Sequence, residues 1–236
     1  MKKINIVHLY PEEMNMYGDS GNVLVLAQRL KWRNIGYQIT RVGVGETIPI
    51  ETHIVVAGGG QDANQQTVAS DLQRKAVAIK KLADNEIPML MICGMYQLFG
   101  HYFKNANKRI KGIGLFDMHT IAESNRLIGN ISIKTKWGEI VGYENHSGRT
   151  YLDSLDTKFG DASLGMGNNG KDKTEGAIYK NVFGSYLHGP LLAKAPEFAD
   201  YLLSLALLRA GSPIRLDDVD DKLEYYAASV AKKRRR

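Results

Sequence analysis

The only cysteine in the chain, Cys93, sits where the apolar run Met89-Leu90-Met91-Ile92 ends and Gly94 turns into Met95-Tyr96-Gln97-Leu98-Phe99, a stretch of helical character. Strand, nucleophile, sharp turn and helix together present a reactive side chain at the carboxyl edge of a sheet. A helix start beside a thiol favours the thiolate, the form that attacks. Attack on an amide also needs a proton shuttle and a place for the oxyanion. His188 closes a second apolar run, Val182 to Leu187, and is followed by Gly189-Pro190. If both runs are parallel strands, Cys93 and His188 reach the same sheet edge despite their separation in sequence. Gly58-Gly59-Gly60 ends a third run, His53 to Ala57. Amides without a neighbouring Cβ can approach an anion, so Gly59 and Gly60, with Gly94, are candidate ligand-facing donors. No Gly-Lys-Ser/Thr follows, which excludes a P-loop.

The elements that must position these residues follow from periodicity. Ile4 to Tyr10 reads as a first strand, and Val23 to Arg33 as a helix with Leu24, Leu26, Ala27 and Leu30 at helical spacing, closed by Gly36. Between them lies the loop Gly18-Asp19-Ser20-Gly21-Asn22. Tyr37 to Val44 is a second strand, His53 to Ala57 a third, Gln65 to Asp84 a long helix and Met89 to Ile92 a fourth strand. Strands that are apolar throughout and alternate with helices imply a Rossmann-like α/β fold, a mostly parallel sheet with helices on both faces. The second half changes character. Ile131 to Lys134 and Ile140 to Tyr143 alternate like antiparallel, half-exposed strands, Asn181 to Leu187 makes another strand, and Pro196 to Ala210 a last amphipathic helix.

Length and composition fit one large globular domain over residues 1–215 with an extension over 216–236. No apolar run approaches the ~18 residues of a membrane helix and no leader pattern opens the chain, so a cytoplasmic location is expected. One cysteine excludes a disulfide framework or a cysteine-rich zinc site, and no metal motif is present. Much of the +6 net charge sits in Lys232-Lys233-Arg234-Arg235-Arg236, read as a solvated tail that leaves an anionic surface, a partner or a membrane open as its target. With no basic stripe interleaved with aromatics, no nucleic acid is expected as a ligand. The acidic run Asp217 to Asp221 reads as solvated loop. His146, with Glu144 and Asn145 in a loop after a strand, either lines the site or forms a hydrogen-bonded turn, the structural reading being favoured.

Three segments carry a resemblance: Val56-Ala57-Gly58-Gly59-Gly60-Gln61-Asp62, Ile92-Cys93-Gly94-Met95-Tyr96-Gln97 and Tyr186-Leu187-His188-Gly189-Pro190. Thr120 to Asn130, Gly142 to Thr150 and Gly165 to Asn169 extend it over nearly the whole chain. Together they resemble the class I glutamine amidotransferases of the cobyric-acid-synthase type. The resemblance implies that Cys93 forms a glutamyl thioester, that His188 carries the proton to departing ammonia, and that Arg126 binds L-glutamine by its carboxylate. It further implies a heterodimer with an ATP-dependent, Mur-ligase-like synthetase subunit that amidates the D-glutamate of lipid II. ATP and Mg are then expected on that partner and no cofactor on this chain. The inner membrane face would be reached through lipid II.

Two positions depart from the family pattern. Pro190 stands where many members place a glutamate that orients the histidine, so the third triad member is missing, replaced elsewhere or supplied by the partner. Met95 stands where the elbow usually has glycine. Rival readings are an amidotransferase for a cobyrinic-acid-like acceptor, a cysteine hydrolase of similar topology acting alone, and a catalytically silent binding subunit.

Overall fold

The computed structural model describes residues 3–60, 62–106, 108–212 and 215–234. Gln61 of the first resemblance segment and the last two tail residues, Arg235 and Arg236, lie outside them. The first half alternates as expected: β1 (Ile4–Leu9), α1 (Ser20–Trp32), β2 (Tyr37–Val42), β3 (Ile54–Ala57), α2 (Asp62–Asp84), β4 (Met89–Ile92) and α3 (Gly94–Phe99). Next come β5 (Tyr102–Asn105), β6 (Lys108–Lys111), β7 (Met118–Thr135), β8 (Gly138–Leu152), β9 (Gly160–Leu164) and β10 (Thr174–Glu175). The chain then returns through β11 (Ala177–Tyr179) and β12 (Val182–Ser185) to α4 (Pro196–Arg209) and α5 (Lys222–Lys233).

The strands form two sheets. The first has the order β11-β12-β4-β3-β1-β2 and is parallel except for β11. Its inner strands β1, β3, β4 and β12 are buried along their whole length, which is why β3 and β4 read as unbroken apolar runs and β1 as one interrupted only by the buried Asn5 and His8. The order brings β3, β4 and β12 side by side in parallel, so all three carboxyl ends share one edge.

The later strands do not join that sheet. They build a second one, β10-β9-β7-β5-β6 with β8 on β7. β7 and β8 are antiparallel partners of 18 and 15 residues, far longer than the short strands expected. Their hairpin turns at Gly138, whose φ of +94° suits glycine. Beside that turn the Trp137 ring packs against Phe159, Phe183, Phe198 and Tyr201, binding the hairpin to β12 and α4. Nearer the shared edge, a two-bond backbone bridge joins Tyr143 of β8 to His188.

The acidic run is exposed loop as expected at Asp217, Asp218 and Asp220, but its last residue departs. Asp221 does not sit in a solvated loop: with Asp200 of α4 it clamps the Arg29 guanidinium of α1, at 2.5 Å and 2.6 Å. Arg29 is fully buried, and a buried cation needs such partners. Beyond this clamp α5 lies against β7 and β8. Lys232 pairs with Glu139 at 2.7 Å, and Asn130 donates to the Arg234 carbonyl. The described tail residues Lys232 to Arg234 thus touch the second sheet while staying exposed. No described helix is long and apolar enough to cross a membrane.

Candidate active site

Cys93 follows the last residue of β4 and precedes α3. Its backbone is tied to β12 by the amide donating to the Ser185 carbonyl at 2.8 Å, and α3 closes its first turn by Gln97 N donating to the Cys93 carbonyl. Between these constraints Cys93 takes φ +52°, ψ −105°, a strained conformation for a residue with a side chain. This is the elbow expected from sequence. The amides of the first α3 turn, beginning with Gly94, have no carbonyl one turn earlier to bond.

Three strand ends converge here. Glycine at position 59 is a steric requirement: a Cβ there would lie 2.9 Å from Cys93 Cβ, 3.3 Å from its Sγ and 3.3 Å from His188 Cε1. Gly59 is thus wedged between the two side chains. Its amide is not turned toward a ligand, as the sequence reading had it. It donates to Asp19 Oδ2 at 2.9 Å, and its carbonyl accepts from Met16. Gly60 is likewise closely packed, since a Cβ there would strike the Glu13 carbonyl and the Met14 sulfur at 2.6 Å.

The partner that Pro190 does not supply to His188 comes from the other end of the sequence. Asp19 Oδ1 lies 2.9 Å from His188 Nδ1, and both residues are buried. Asp19 occupies the N-cap of α1, yet its side chain makes no capping bond. Its carboxylate is turned inward to His188 and Gly59 instead. Sequence reasoning passed over Asp19 because an aspartate just before a helix has an ordinary explanation as a cap. The available signal was its place in a Gly-rich loop between the first strand and its helix.

His188 Nε2 is buried without a well-formed hydrogen bond, on a ring whose Cε1 faces the same Gly59 wedge as Cys93 Sγ. Burial by itself pushes this imidazole down. The negative charge of Cys93, the Asp19 bond and the Asp19 charge outweigh it and hold His188 up to about 10. The histidine is therefore an imidazolium at neutral pH. The Tyr17 ring covers it at 4.4 Å between centroids.

Arg126 reaches the same neighbourhood from the second sheet. It sits on β7 inside the register break between Ala122 and Leu127, and such irregularities re-aim side chains. Its guanidinium donates to the side chain and carbonyl of Asn145, both at 2.8 Å, and to Tyr17 Oη at 3.5 Å. Tyr17 thus links Arg126 to His188. The guanidinium is exposed and so open to an anionic group. His146, expected in a turn after a strand, lies within β8 and is buried. The fold also gathers His101, Asp117 and Asp153, which no sequence motif had suggested as a possible cation site; the trio is exposed.

Residues 5–196 match the CobB/CobQ-like glutamine amidotransferase domain. The chain belongs to that family. Among curated relatives of this amidotransferase is the lipid II isoglutaminyl synthase (glutamine-hydrolyzing) subunit GatD of Staphylococcus aureus, 39% identical over 98% of this chain and 95% of that protein. GatD of Streptococcus pneumoniae is 38% identical over 94% and 87%. A probable cobyric acid synthase of Methanococcus maripaludis is 37% identical, over 59% of this chain and 31% of its own length. Among solved structures, PurLQS from Thermotoga maritima superposes with a TM-score of 0.56 at 18% identity, covering 89% of this chain and 100% of the other. A glutamine amidotransferase from the same organism gives 0.54 at 14%. These two likenesses speak for the fold alone.

Proposed function

We propose that this amidotransferase is the glutamine-hydrolysing subunit of a lipid II isoglutaminyl synthase, with Cys93, His188 and Asp19 as its catalytic triad. The observation that carries the chemistry is the buried Asp19–His188 bond at 2.9 Å, on an imidazole wedged with Cys93 around Gly59. In this reading the Cys93 thiolate attacks the carboxamide carbon of L-glutamine. The oxyanion is received by the amides of Gly94 and Gly60, because that of Gly59 is already given to Asp19. The C–N bond breaks as His188 Nε2 hands its proton to the leaving nitrogen, giving ammonia and a glutamyl thioester. Water then attacks the thioester, its proton passing to His188, and glutamate leaves with Cys93 restored. Asp19 holds the histidine with Nε2 directed at the reaction and stabilises the imidazolium. Arg126 binds the substrate carboxylate at the mouth.

Coverage supports the reading of the acceptor. The GatD relatives match along nearly their whole length, whereas the cobyric acid synthase match spans 31% of that protein. The ammonia accordingly serves a separate Mur-ligase-like subunit that binds ATP and Mg and activates the D-glutamate carboxylate of lipid II, in a heterodimer at the inner membrane face. The test is ammonia release from L-glutamine by the purified chain with that synthetase, beside Cys93→Ala. Release that disappears in the variant and appears as amidated lipid II supports the reading. Absence of release from the intact complex overturns it.

A further inference from the structure

One buried polar atom near the site has no use in the steps above. Nε2 of His146 is shut away from solvent and has no hydrogen-bond partner among the described residues. The other ring nitrogen, Nδ1, lies 2.7 Å from the Gly148 carbonyl. A carbonyl only accepts, so Nδ1 carries the hydrogen and Nε2 presents a lone pair. The plane of the ring is held face to face on Tyr186 at 3.6 Å and 5°, and the Gly148 bond fixes which edge carries Nδ1. Tyr186 is itself pinned through its hydroxyl to Thr150 and Gln97. Burial foremost, and then the positive charges of Arg149, His188 and Arg126, keep the imidazole neutral against the pull of the Gly148 bond, down to about 3. A buried acceptor left without a donor is costly, and such an exception calls for an explanation.

Its surroundings supply one. His146 stands opposite Leu127, next to the Arg126 position, and directly follows Asn145, on which that guanidinium is anchored. Three residues earlier on the same strand, Tyr143 exchanges backbone hydrogen bonds with His188. Tyr186, against which the ring is stacked, follows Ser185, whose carbonyl receives the Cys93 amide. The ring also lies near enough to His188 and Arg126 for both charges to act on it, and Tyr186, on which it stacks, feels that of Cys93, so His146 borders the wall shared by these three residues.

We propose that His146 determines specificity for the carboxamide: its Nε2 accepts a hydrogen bond from the side-chain N–H of bound glutamine. This rests on the glutaminase reading of Cys93. An acceptor fixed at this place suits an amide nitrogen and disfavours the product, whose carboxylate at physiological pH brings only further lone pairs. His146 moves no proton; it orients the leaving nitrogen toward His188 and helps glutamate depart.

The test compares L-glutamine with L-glutamate γ-methyl ester, which forms the same acyl-enzyme and has no N–H on its leaving group, in the assembled complex. His146→Phe keeps a ring on Tyr186 and removes the lone pair, His146→Asn keeps a group near Gly148 and removes it, and His146→Gln restores an acceptor near the Nε2 position. The expected result is a fall in kcat/KM for glutamine of about tenfold to a hundredfold in the Phe and Asn variants. The ester should stay within about threefold, as suits a site built for one hydrogen bond, and the Gln variant should recover most of the loss. Equal losses on both substrates, as general damage to the fold would give, overturn the proposal, as does unchanged glutamine hydrolysis. A wild-type complex that hydrolyses neither substrate instead overturns the glutaminase reading itself.

Discussion

Replacing Asp19 by asparagine tests the triad most directly, because the change is nearly isosteric. A side-chain oxygen remains to accept from the Gly59 amide, which now donates to Oδ2 at 2.9 Å. The charge opposite His188 is lost. His188 stands at about 10 against an ordinary 6.5, and at about 1.4 kcal/mol per unit that gap is on the order of 5 kcal/mol in favour of the imidazolium. Burial opposes this preference, and it comes from two sources, the Cys93 charge and the Asp19 carboxylate. A charge-assisted hydrogen bond contributes about 1.5–3 kcal/mol, so its loss should bring the histidine down by about one to two units. The alkaline limb of kcat/KM for glutamine hydrolysis, set by deprotonation of the imidazolium, should then move from near 10 to about 8–9. The rate at neutral pH should fall by about 10²–10⁴, since the carboxamide also favours the wrong imidazole tautomer. The assay is ammonia release across pH, with iodoacetamide alkylation of Cys93 as a second profile. A variant that keeps both its alkaline limb and a kcat within threefold of wild type would refute Asp19 as the third member.

Four further outcomes follow from the geometry. Gly59→Ala places a methyl 2.9 Å from Cys93 Cβ; it should cost about 1–3 kcal/mol of stability as overpacking and about a hundredfold in kcat through displacement of the reacting groups, read by thermal unfolding and ammonia release. Arg126→Ala should raise KM for glutamine with little change in kcat, since the guanidinium is read as a carboxylate clamp away from the breaking bond. Glu175 is buried beneath the Tyr186 amide, and burial foremost raises its carboxyl to about 8. The unfolded chain gives up that proton from about 4.5 upward while the fold retains it, so the group weakens the fold progressively between about pH 4.5 and 8. Glu175→Gln should therefore raise Tm at pH 8, with the gain vanishing near pH 4.5. Arg29→Met leaves Asp221 without its cation and Asp200 with Arg33 alone, and should destabilise the protein by about 3–5 kcal/mol while opening the segment before α5 to limited proteolysis.

What could be read from the sequence was what burial writes plainly. β1, β3, β4 and β12 lie in the middle of a covered sheet, so each is mostly apolar, and β3, β4 and β12 run abruptly into residues with another duty. Cys93, His188 and the glycine turn therefore stood out against uniform surroundings. β7 and β8 were harder, because only the parts facing the core alternate, as at Ile131 and Ile133, while the outer parts are polar and resemble loop. Asp19 and Asp221 were passed over for a shared reason. An acidic residue before a helix suits a cap or a solvated loop, and only the fold reveals an imidazole or a guanidinium waiting opposite. The direction of the Gly59 amide could not be read at all, since it depends on where Asp19 arrives.

The backbone bridge between Tyr143 and His188 gives the molecule a mechanical property. The nucleophile belongs to one sheet and Arg126 to the other, and the histidine between them is held by main-chain bonds to both. A load applied to the β7–β8 hairpin need not pass through flexible side chains to reach the proton shuttle, because it pulls on the histidine's own peptide groups. A protein seated on that hairpin would have a rigid lever on the rate of glutamine cleavage without touching the reacting atoms. The second sheet can thus serve as the input arm of a throttle whose output is the alignment of one imidazole.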